Sequence, residues 1–234
     1  MIAGLQKMTL LDFPGRVACT VFLQGCNFRC PFCHNTDLLP PTGEELMTED
    51  ALISFLEKRT GLLDGVCITG GEPTLYKGLP DLLRRIKELG YAVKLDTNGF
   101  QPGVLKALVE ENLIDYVAVD VKNGPSRYAE TVGVPGLKLD KYEQTLRYLL
   151  EEHIPYELRT TVVEPLHDAD SVLEMGRWLD SLTPGRKPTK LFLQSFVDRD
   201  TVAFEGLRAA EADRMEEYVS LLRPYIGEVA IRGE

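Results

Sequence analysis

Apolar, β-branched segments alternate with helical segments along this chain, and that alternation constrains the fold more than any other feature. The segments predicted as strands are short and mostly apolar on both faces: 17–23, 65–69, 91–96, 116–121, 157–163, 190–194 and 228–232. Helices are predicted between them, one capped by Thr48, one from Pro80 to Gly90, and others at 104–111, 139–152, 171–182 and 209–222. Such a pattern implies parallel strands joined by right-handed crossovers.

The number of repeating β–α units limits the possible architectures. Six β–α units and a terminal strand are fewer than the eight units of a closed barrel. The sequence therefore predicts an α/β fold, a partial (β/α)6 TIM-type barrel with parallel strands, and a flat doubly wound sheet is the alternative. No linker interrupts the pattern, so residues 1–234 are predicted to form a single domain.

Composition excludes several classes of partner. The formal charge of −10 opposes binding to nucleic acid or to an anionic membrane, both of which favour a basic surface. The first residues lack the apolar core of a signal peptide, and no apolar run is long enough for a membrane helix. We expect a soluble, cytoplasmic protein in which the five cysteines are reduced and some of them bind a metal.

Unusual polar residues follow the carboxyl ends of the predicted strands, where the active sites of α/β sheets lie. Along the chain they are Cys26, Gly70-Gly71-Glu72-Pro73-Thr74, Asp96-Thr97-Asn98-Gly99, Asp120-Val121-Lys122, Arg159 and Gln194-Ser195. All of these segments are expected at one rim of the sheet.

Three cysteines, Cys26, Cys30 and Cys33, occupy eight residues of one loop. An iron–sulfur cube binds four ligands, so three thiolates would leave one iron open to another ligand. The alternative is a structural zinc site with His34 as the fourth ligand, although zinc loops usually bring a second ligand pair from elsewhere. Cys19 and Cys67 lie within predicted strands and are expected to be buried apolar side chains.

The spacing Cys-x3-Cys-x2-Cys, with the aromatic Phe32 before the last cysteine, resembles the radical S-adenosylmethionine (radical SAM) enzymes. The resemblance implies a [4Fe–4S] cluster on the three cysteines and S-adenosylmethionine bound at its open iron. It also implies that Phe32 and the backbone around His34 contact the adenine. In such enzymes the cofactor carries the chemistry and the protein supplies binding and orientation.

Three later motifs extend this resemblance. Gly70-Gly71-Glu72 is similar to the family motif that holds the methionyl amino group. Asp96-Thr97-Asn98-Gly99 and Asp120-Val121-Lys122 resemble the activases of glycyl radical enzymes, where the first aspartate faces the amino group and the lysine faces the carboxylate. By the same resemblance Arg159 is a cofactor-binding candidate, and Asp96, Thr97 and Asp120 are candidate ligands of a monovalent cation. Taken alone, the two motifs could equally be a strand end with a turn and a solvated ion pair.

The whole chain is most similar to the short activating proteins of anaerobic ribonucleoside-triphosphate reductase, whose opening reads like Asp12-Phe13-Pro14-Gly15 and Phe22-Leu23-Gln24-Gly25-Cys26. Activators of pyruvate formate-lyase are also similar, but they place a histidine where this chain has Val197. The resemblance implies an activase that takes a hydrogen atom from a glycine of a partner glycyl radical enzyme. It also implies one cluster and a flavodoxin- or ferredoxin-type electron donor.

Two alternatives differ in class. One is a radical SAM enzyme acting on a small molecule, such as a 7-carboxy-7-deazaguanine synthase. The other is a non-enzymatic iron–sulfur or zinc module. Neither His153 nor His167 belongs to a motif, so both are expected at the surface, and Trp178 is expected to pack in the core.

Overall fold

The computed structural model describes residues 1–39, 45–151, 153–202 and 204–232. The strands are β1 (Ile2–Thr9), β2 (Ala18–Leu23), β3 (Gly65–Gly70), β4 (Ala92–Thr97), β5 (Tyr116–Asp120), β6 (Tyr156–Val162), β7 (Lys190–Ser195) and β8 (Glu228–Arg232). The α-helices are α1 (Glu49–Glu57), α2 (Leu79–Glu88), α3 (Pro102–Glu110), α4 (Pro125–Thr131), α5 (Asp140–Leu150), α6 (Ala169–Ser181) and α7 (Ala212–Leu222).

The chain divides into two compact units. The first unit is Met1–Asn27 with Asp37–Ala118, and the second unit is Phe28–Thr36 with Val119–Glu234. The division falls inside the cysteine loop, so Cys26 belongs to the first unit while Cys30 and Cys33 belong to the second.

In the first unit, β2, β3 and β4 are parallel and in register, and β1 is antiparallel to β2 at the edge. β2 and β3 are almost entirely buried, as strands covered on both faces should be. β1 was not predicted, because its Gln6, Lys7 and Met8 side chains are exposed and its sequence has no continuous apolar run.

The helices of the first unit begin within two residues of their predicted positions: α1 at Glu49 after Thr48, α2 at Leu79 rather than Pro80, and α3 at Pro102 rather than 104. The Thr48 hydroxyl accepts a hydrogen bond from the amide of Ala51 at 3.2 Å and caps α1. Pro80 stands in the first turn of α2, and the helix gives way to Gly90 at φ +85°. α2 buries its leucines and Ile86 on one face, which is the amphipathic pattern of a helix that covers a sheet.

In the second unit, β6, β7 and β8 are parallel, with β8 at the edge. The short helix α4 was not predicted. Trp178 on α6 is 9% exposed and lies against the rings of Tyr128 and Tyr142, which confirms its predicted place in the core.

The predicted fold class, α/β with parallel strands joined by helices, is confirmed in both units. Within the described residues, no helix is long and apolar enough to cross a membrane.

Candidate functional site

The loop that leads from β2 to Cys26 packs tightly on the Gly70-Gly71 turn in the first unit. The amide of Gly71 donates to the carbonyl of Leu23 at 2.9 Å, and the amide of Glu72 donates to the carbonyl of Gly25 at 2.7 Å. A Cβ at Gly71 would lie 2.2 Å from that Gly25 oxygen and 3.3 Å from the Cβ of Cys26. Glycine is therefore required at position 71, where the turn holds the loop beside Cys26.

Glu72 is buried and accepts several hydrogen bonds. Its Oε2 accepts from the amide of Asn98 at 2.6 Å, and its Oε1 accepts from the hydroxyl of Thr97 at 2.7 Å. The amide and hydroxyl of Thr74 also donate to Oε1. Burial raises the pKa of Glu72, and these hydrogen bonds oppose that shift. The carboxylate thus joins the end of β3 to the end of β4 and is fully engaged by protein donors.

Asn98 extends this network to the cysteine loop. Its Nδ2 donates to Oδ1 of Asn27 at 2.7 Å, and Asn27 directly follows Cys26. The Glu72 carboxylate orders the amide of Asn98, whose side chain in turn holds the residue next to the first cysteine. Neither Asn27 nor Asn98 had a predicted role, because their contact joins residues that are far apart in the sequence.

Asp96 is paired with a buried lysine that was not among the predicted site residues. Lys94 lies two residues earlier on β4, its side chain is 1% exposed, and its Nζ bonds Asp96 Oδ1. Side chains two residues apart in a strand point to the same face, so Lys94 and Asp96 can meet. The lysine between the apolar Val93 and Leu95 was the feature of the sequence that could have indicated this pair.

In the second unit the cysteine loop packs into a hydrophobic cluster. Phe32 is 5% exposed and lies with Val163, Leu166 and Phe196, and Cys30 packs against this cluster. The Phe32 ring therefore anchors the loop that carries Cys30 and Cys33.

Asp120, Lys122 and Arg159 form an ion-pair cluster in the same unit. Lys122 Nζ lies 2.8 Å from Asp120 Oδ2 and 5.7 Å from the centre of the Phe32 ring. Arg159 reaches Asp120 Oδ1 at 3.1 Å from NH2 and 3.2 Å from Nε. Burial alone would raise the pKa of Asp120, but the two cations lower it to about 2. Burial alone would lower the pKa of Lys122, but Asp120 and the neighbouring Cys30 raise it, so Lys122 is a permanent ammonium beside the loop.

His34 links the cysteine loop to the segment after β7. Its ring stacks on Phe196 at 5.6 Å between centroids, and Nε2 lies 2.7 Å from the carbonyl oxygen of Val197. Two residues later, the Thr36 hydroxyl donates to the carbonyl of Thr201 at 2.7 Å. The His34 side chain is therefore used to fix the loop against the rim after β7.

The expectation that His167 lies at the surface is wrong, whereas His153 is exposed as expected. His167 is 3% exposed, and its Nε2 lies 2.8 Å from the carbonyl oxygen of Lys122. Its Nδ1 lies 3.1 Å from the amide of Val163. Burial lowers the pKa of His167, so the neutral ring holds the backbone at Lys122.

The cysteines fall into two chemical groups, and none of the five forms a disulfide. Burial raises the pKa of Cys19 and of Cys67 to about 12, which makes both poor thiolate ligands. Cys26, Cys30 and Cys33 are partly exposed, and thiolates are the side chains that bind iron–sulfur clusters. In the described ranges no group of three or more His, Cys, Asp or Glu is arranged to hold a metal ion.

The predicted site residues divide between the two units. The first unit brings Gly70, Gly71, Glu72, Asp96 and Thr97 to the ends of β3 and β4, beside the loop of Cys26. In the second unit, Phe32 and Cys30 lie close to Lys122, and both Lys122 and Arg159 pair with Asp120. His34 lies against Phe196 instead.

The family model described as "Radical SAM superfamily" matches residues 20–179. The chain belongs to the radical SAM superfamily. Membership implies an enzyme that acts by radical SAM chemistry with a [4Fe–4S] cluster and S-adenosylmethionine, as the cysteine motif predicted.

Several relatives are activating enzymes. A Methanocaldococcus jannaschii protein named "Putative glycyl-radical enzyme activating enzyme" is 30% identical over 99% of this chain and 95% of its own length. The pyruvate formate-lyase-activating enzyme of Clostridium pasteurianum is 33% identical over 52% of each chain. The 7-carboxy-7-deazaguanine synthase of Aquifex aeolicus is 30% identical over 58% of this chain and 57% of its own. The predicted resemblance to glycyl-radical-enzyme activating enzymes is thereby confirmed.

Solved structures share the fold. Streptococcus suis SuiB matches with a TM-score of 0.70 and 14% identity, over 92% of this chain and 48% of SuiB. A domain of pyruvate-formate lyase-activating enzyme from Bacteroides vulgatus matches with a TM-score of 0.57 and 20% identity, over 72% of this chain and 99% of that one. At these identities the likeness concerns the fold alone.

Proposed function

We propose that this chain is a radical SAM activase whose substrate is a glycine of a partner glycyl radical enzyme. The partner that we propose is the anaerobic ribonucleoside-triphosphate reductase, on the resemblance of the opening motifs. The near full-length similarity to the M. jannaschii relative supports the activase class.

The observation that best supports the proposal is the ion-pair cluster of Lys122, Arg159 and Asp120. It sets a permanent ammonium 5.7 Å from the ring of Phe32, on the loop that bears Cys30 and Cys33. An ammonium and a guanidinium suit a carboxylate, and S-adenosylmethionine has one beside its amino group. We propose that Lys122 and Arg159 bind this carboxylate while Asp120 orients the two cations.

The remaining residues have complementary proposed roles. Cys26, Cys30 and Cys33 would hold the cluster, and the backbone at Gly70 and Gly71 would approach the methionyl amino group. Both oxygens of Glu72 already accept hydrogen bonds from the protein, so we propose that Glu72 positions the ends of β3 and β4. Bound to the three cysteines, the cluster would supply one electron to S-adenosylmethionine, whose sulfonium C–S bond would break to give methionine and a 5′-deoxyadenosyl radical. Transfer of the glycine hydrogen atom to that radical would give 5′-deoxyadenosine and a glycyl radical.

The test is anaerobic incubation of the reconstituted protein with a flavodoxin- or ferredoxin-type electron donor, S-adenosylmethionine and a candidate partner. Parallel arms contain anaerobic ribonucleotide reductase, pyruvate formate-lyase, or no partner. We expect a glycyl doublet in the electron paramagnetic resonance spectrum with the reductase and one 5′-deoxyadenosine per radical. Formation of 5′-deoxyadenosine without a doublet in any arm would contradict the activase function.

A Lys122→Met variant tests the carboxylate site directly. Loss of a buried charge-assisted hydrogen bond costs about 2 kcal/mol, so we expect S-adenosylmethionine to bind roughly 30-fold more weakly. The matched control is Lys106→Met, because Lys106 is exposed and pairs only loosely with Glu110 on α3. Equal affinity of wild type and Lys122→Met would remove Lys122 from the site.

A small-molecule substrate is the second candidate, favoured by the similarity to 7-carboxy-7-deazaguanine synthase. It predicts that a candidate small-molecule substrate added to the arm without a protein partner is converted to product.

A further inference from the structure

Lys94 is a charged residue in the buried part of β4. The register pairs Thr20 with Cys67 and Cys67 with Lys94, so the three side chains share one face of the sheet in the first unit. Asp96 lies on the same face and accepts a hydrogen bond from the Lys94 ammonium. A buried ammonium is strongly destabilising unless it is paired, and Asp96 is the partner that compensates it.

The other ionisable groups near Lys94 leave this pairing intact. Burial raises the pKa of Cys67 to about 12, so the adjacent thiol is neutral. Asp12 is held by Thr20, whose hydroxyl donates to its Oδ2 at 2.5 Å. Asp96 is thus the carboxylate that Lys94 neutralises.

The residues proposed as ligands of a monovalent cation are already engaged. Asp96 accepts a hydrogen bond from the Lys94 ammonium. The Thr97 hydroxyl donates to Glu72 at 2.7 Å and accepts from the amide of Gly99 at 3.0 Å. A cation needs several oxygen ligands and would meet the Lys94 charge at Asp96.

Asp120, considered separately within the second unit, is equally engaged. Lys122 bonds Oδ2 and Arg159 bonds Oδ1, so each carboxylate oxygen already faces a positive charge. The donor set of this chain therefore does not fit the cation that its sequence resemblance implies.

We propose that the ammonium of Lys94 supplies, from within the fold, the positive charge that a monovalent cation would otherwise bring to Asp96. Binding of S-adenosylmethionine by this chain is then independent of such cations. This inference rests on the proposed function and on the role beside the methionyl amino group that the sequence resemblance implies for Asp96. It adds Lys94 as a positioning residue that acts through Asp96.

The first experiment uses the wild-type protein with its cluster. The dissociation constant of S-adenosylmethionine is measured by equilibrium dialysis in potassium, sodium and choline chloride at equal ionic strength, because choline is too large for a protein cation site. We expect the three constants to agree within about twofold. Binding that is more than about tenfold tighter in potassium or sodium than in choline would overturn the inference.

The second experiment uses Lys94→Met, which removes the ammonium that bonds Asp96. We expect affinity in choline to fall at least about tenfold and to recover in methylammonium chloride, whose ammonium can replace that of Lys94. Lys87→Met is the matched control, since Lys87 pairs with Asp115 at 2.8 Å in the same unit but is partly exposed, and it should show no salt specificity. A folded Lys94→Met protein that binds as well as wild type in choline would refute the role of Lys94.

The outcomes separate this inference from the proposed function. Cation-dependent binding by the wild type overturns the inference alone. Cation-independent binding without a glycyl radical supports the inference and contradicts the activase. Absence of binding in every salt refutes both, and if Lys94→Met does not fold, the wild-type measurement alone decides.

Discussion

Replacement of Glu72 by glutamine tests whether the buried carboxylate organises the first unit. Both of its oxygens accept hydrogen bonds, and Asn98 donates its amide to Oε2 at 2.6 Å. Glutamine keeps the shape but puts an NH2 group in place of one acceptor, so one buried donor loses its partner. A buried unsatisfied donor costs about 2 kcal/mol, and we expect the free energy of opening around Asn98 to fall by that amount at pH 7.

Hydrogen exchange of the Asn98 amide measures this effect at the hydrogen bond itself. A loss of about 2 kcal/mol corresponds to roughly 30-fold faster exchange where exchange follows the opening equilibrium. The matched control is Glu57→Gln, at an exposed position of α1 in the same unit. Unchanged protection of both the Asn98 and the Thr74 amide in the Glu72→Gln protein would refute the assignment of Glu72 as an organising acceptor.

The pH dependence gives a second signature of Glu72. Burial raises its pKa in the folded protein above the unfolded value. Its contribution to stability is therefore fully present below the unfolded pKa and is lost as the pH rises through the folded pKa. We expect the difference in stability between wild type and Glu72→Gln to narrow as the pH rises from about 4. A difference that widens with pH would contradict the raised pKa.

Two further predictions concern the glycine turn and the buried histidine. Gly71→Ala places a Cβ 2.2 Å from the carbonyl oxygen of Gly25 and should displace the loop of Cys26, so we expect less iron and sulfide per chain after reconstitution. Gly103→Ala is the control, since a Cβ there meets no atom within 4 Å, and equal iron content in the two variants would contradict the packing argument. Burial lowers the pKa of His167, so stability is present above the unfolded pKa of about 6.5 and is lost as the pH falls below it. The urea midpoint of wild type should fall as the pH is lowered from neutral to acid, and that of His167→Gln should fall less. If the midpoints of the two proteins fall equally with pH, His167 is not the source of the pH dependence.

Much of the fold was predictable, since apolar strands and capped helices carry local signals. β8 was predicted with its exact bounds at Glu228–Arg232, and β7 ended one residue beyond its prediction. β1 was missed because its stability comes from pairing with β2 rather than from an apolar pattern of its own. α4 was missed because the seven residues from Pro125 to Thr131 are too few to show a helical periodicity.

The candidate site was predictable where the chemistry lies in a motif. The cysteine loop, Gly70-Gly71 and Lys122 were found because their spacing and order are visible in the sequence. Asn98, Lys94 and His167 act through contacts with residues that lie elsewhere in the chain, and no local pattern encodes such contacts. A lysine within the apolar strand β4 was visible in the sequence. Its pairing with Asp96 was recognised only once the structure placed both side chains on one face of the strand.

The bond between His34 and residue 197 has a consequence for sequence divergence. The acceptor is the main-chain oxygen of Val197, and Val197 is 52% exposed. Any residue that keeps the backbone path could replace valine without loss of the tether to the cysteine loop. Position 197 is therefore free to diverge among related chains, so new side-chain chemistry can arise next to the cysteine loop while its scaffold stays the same.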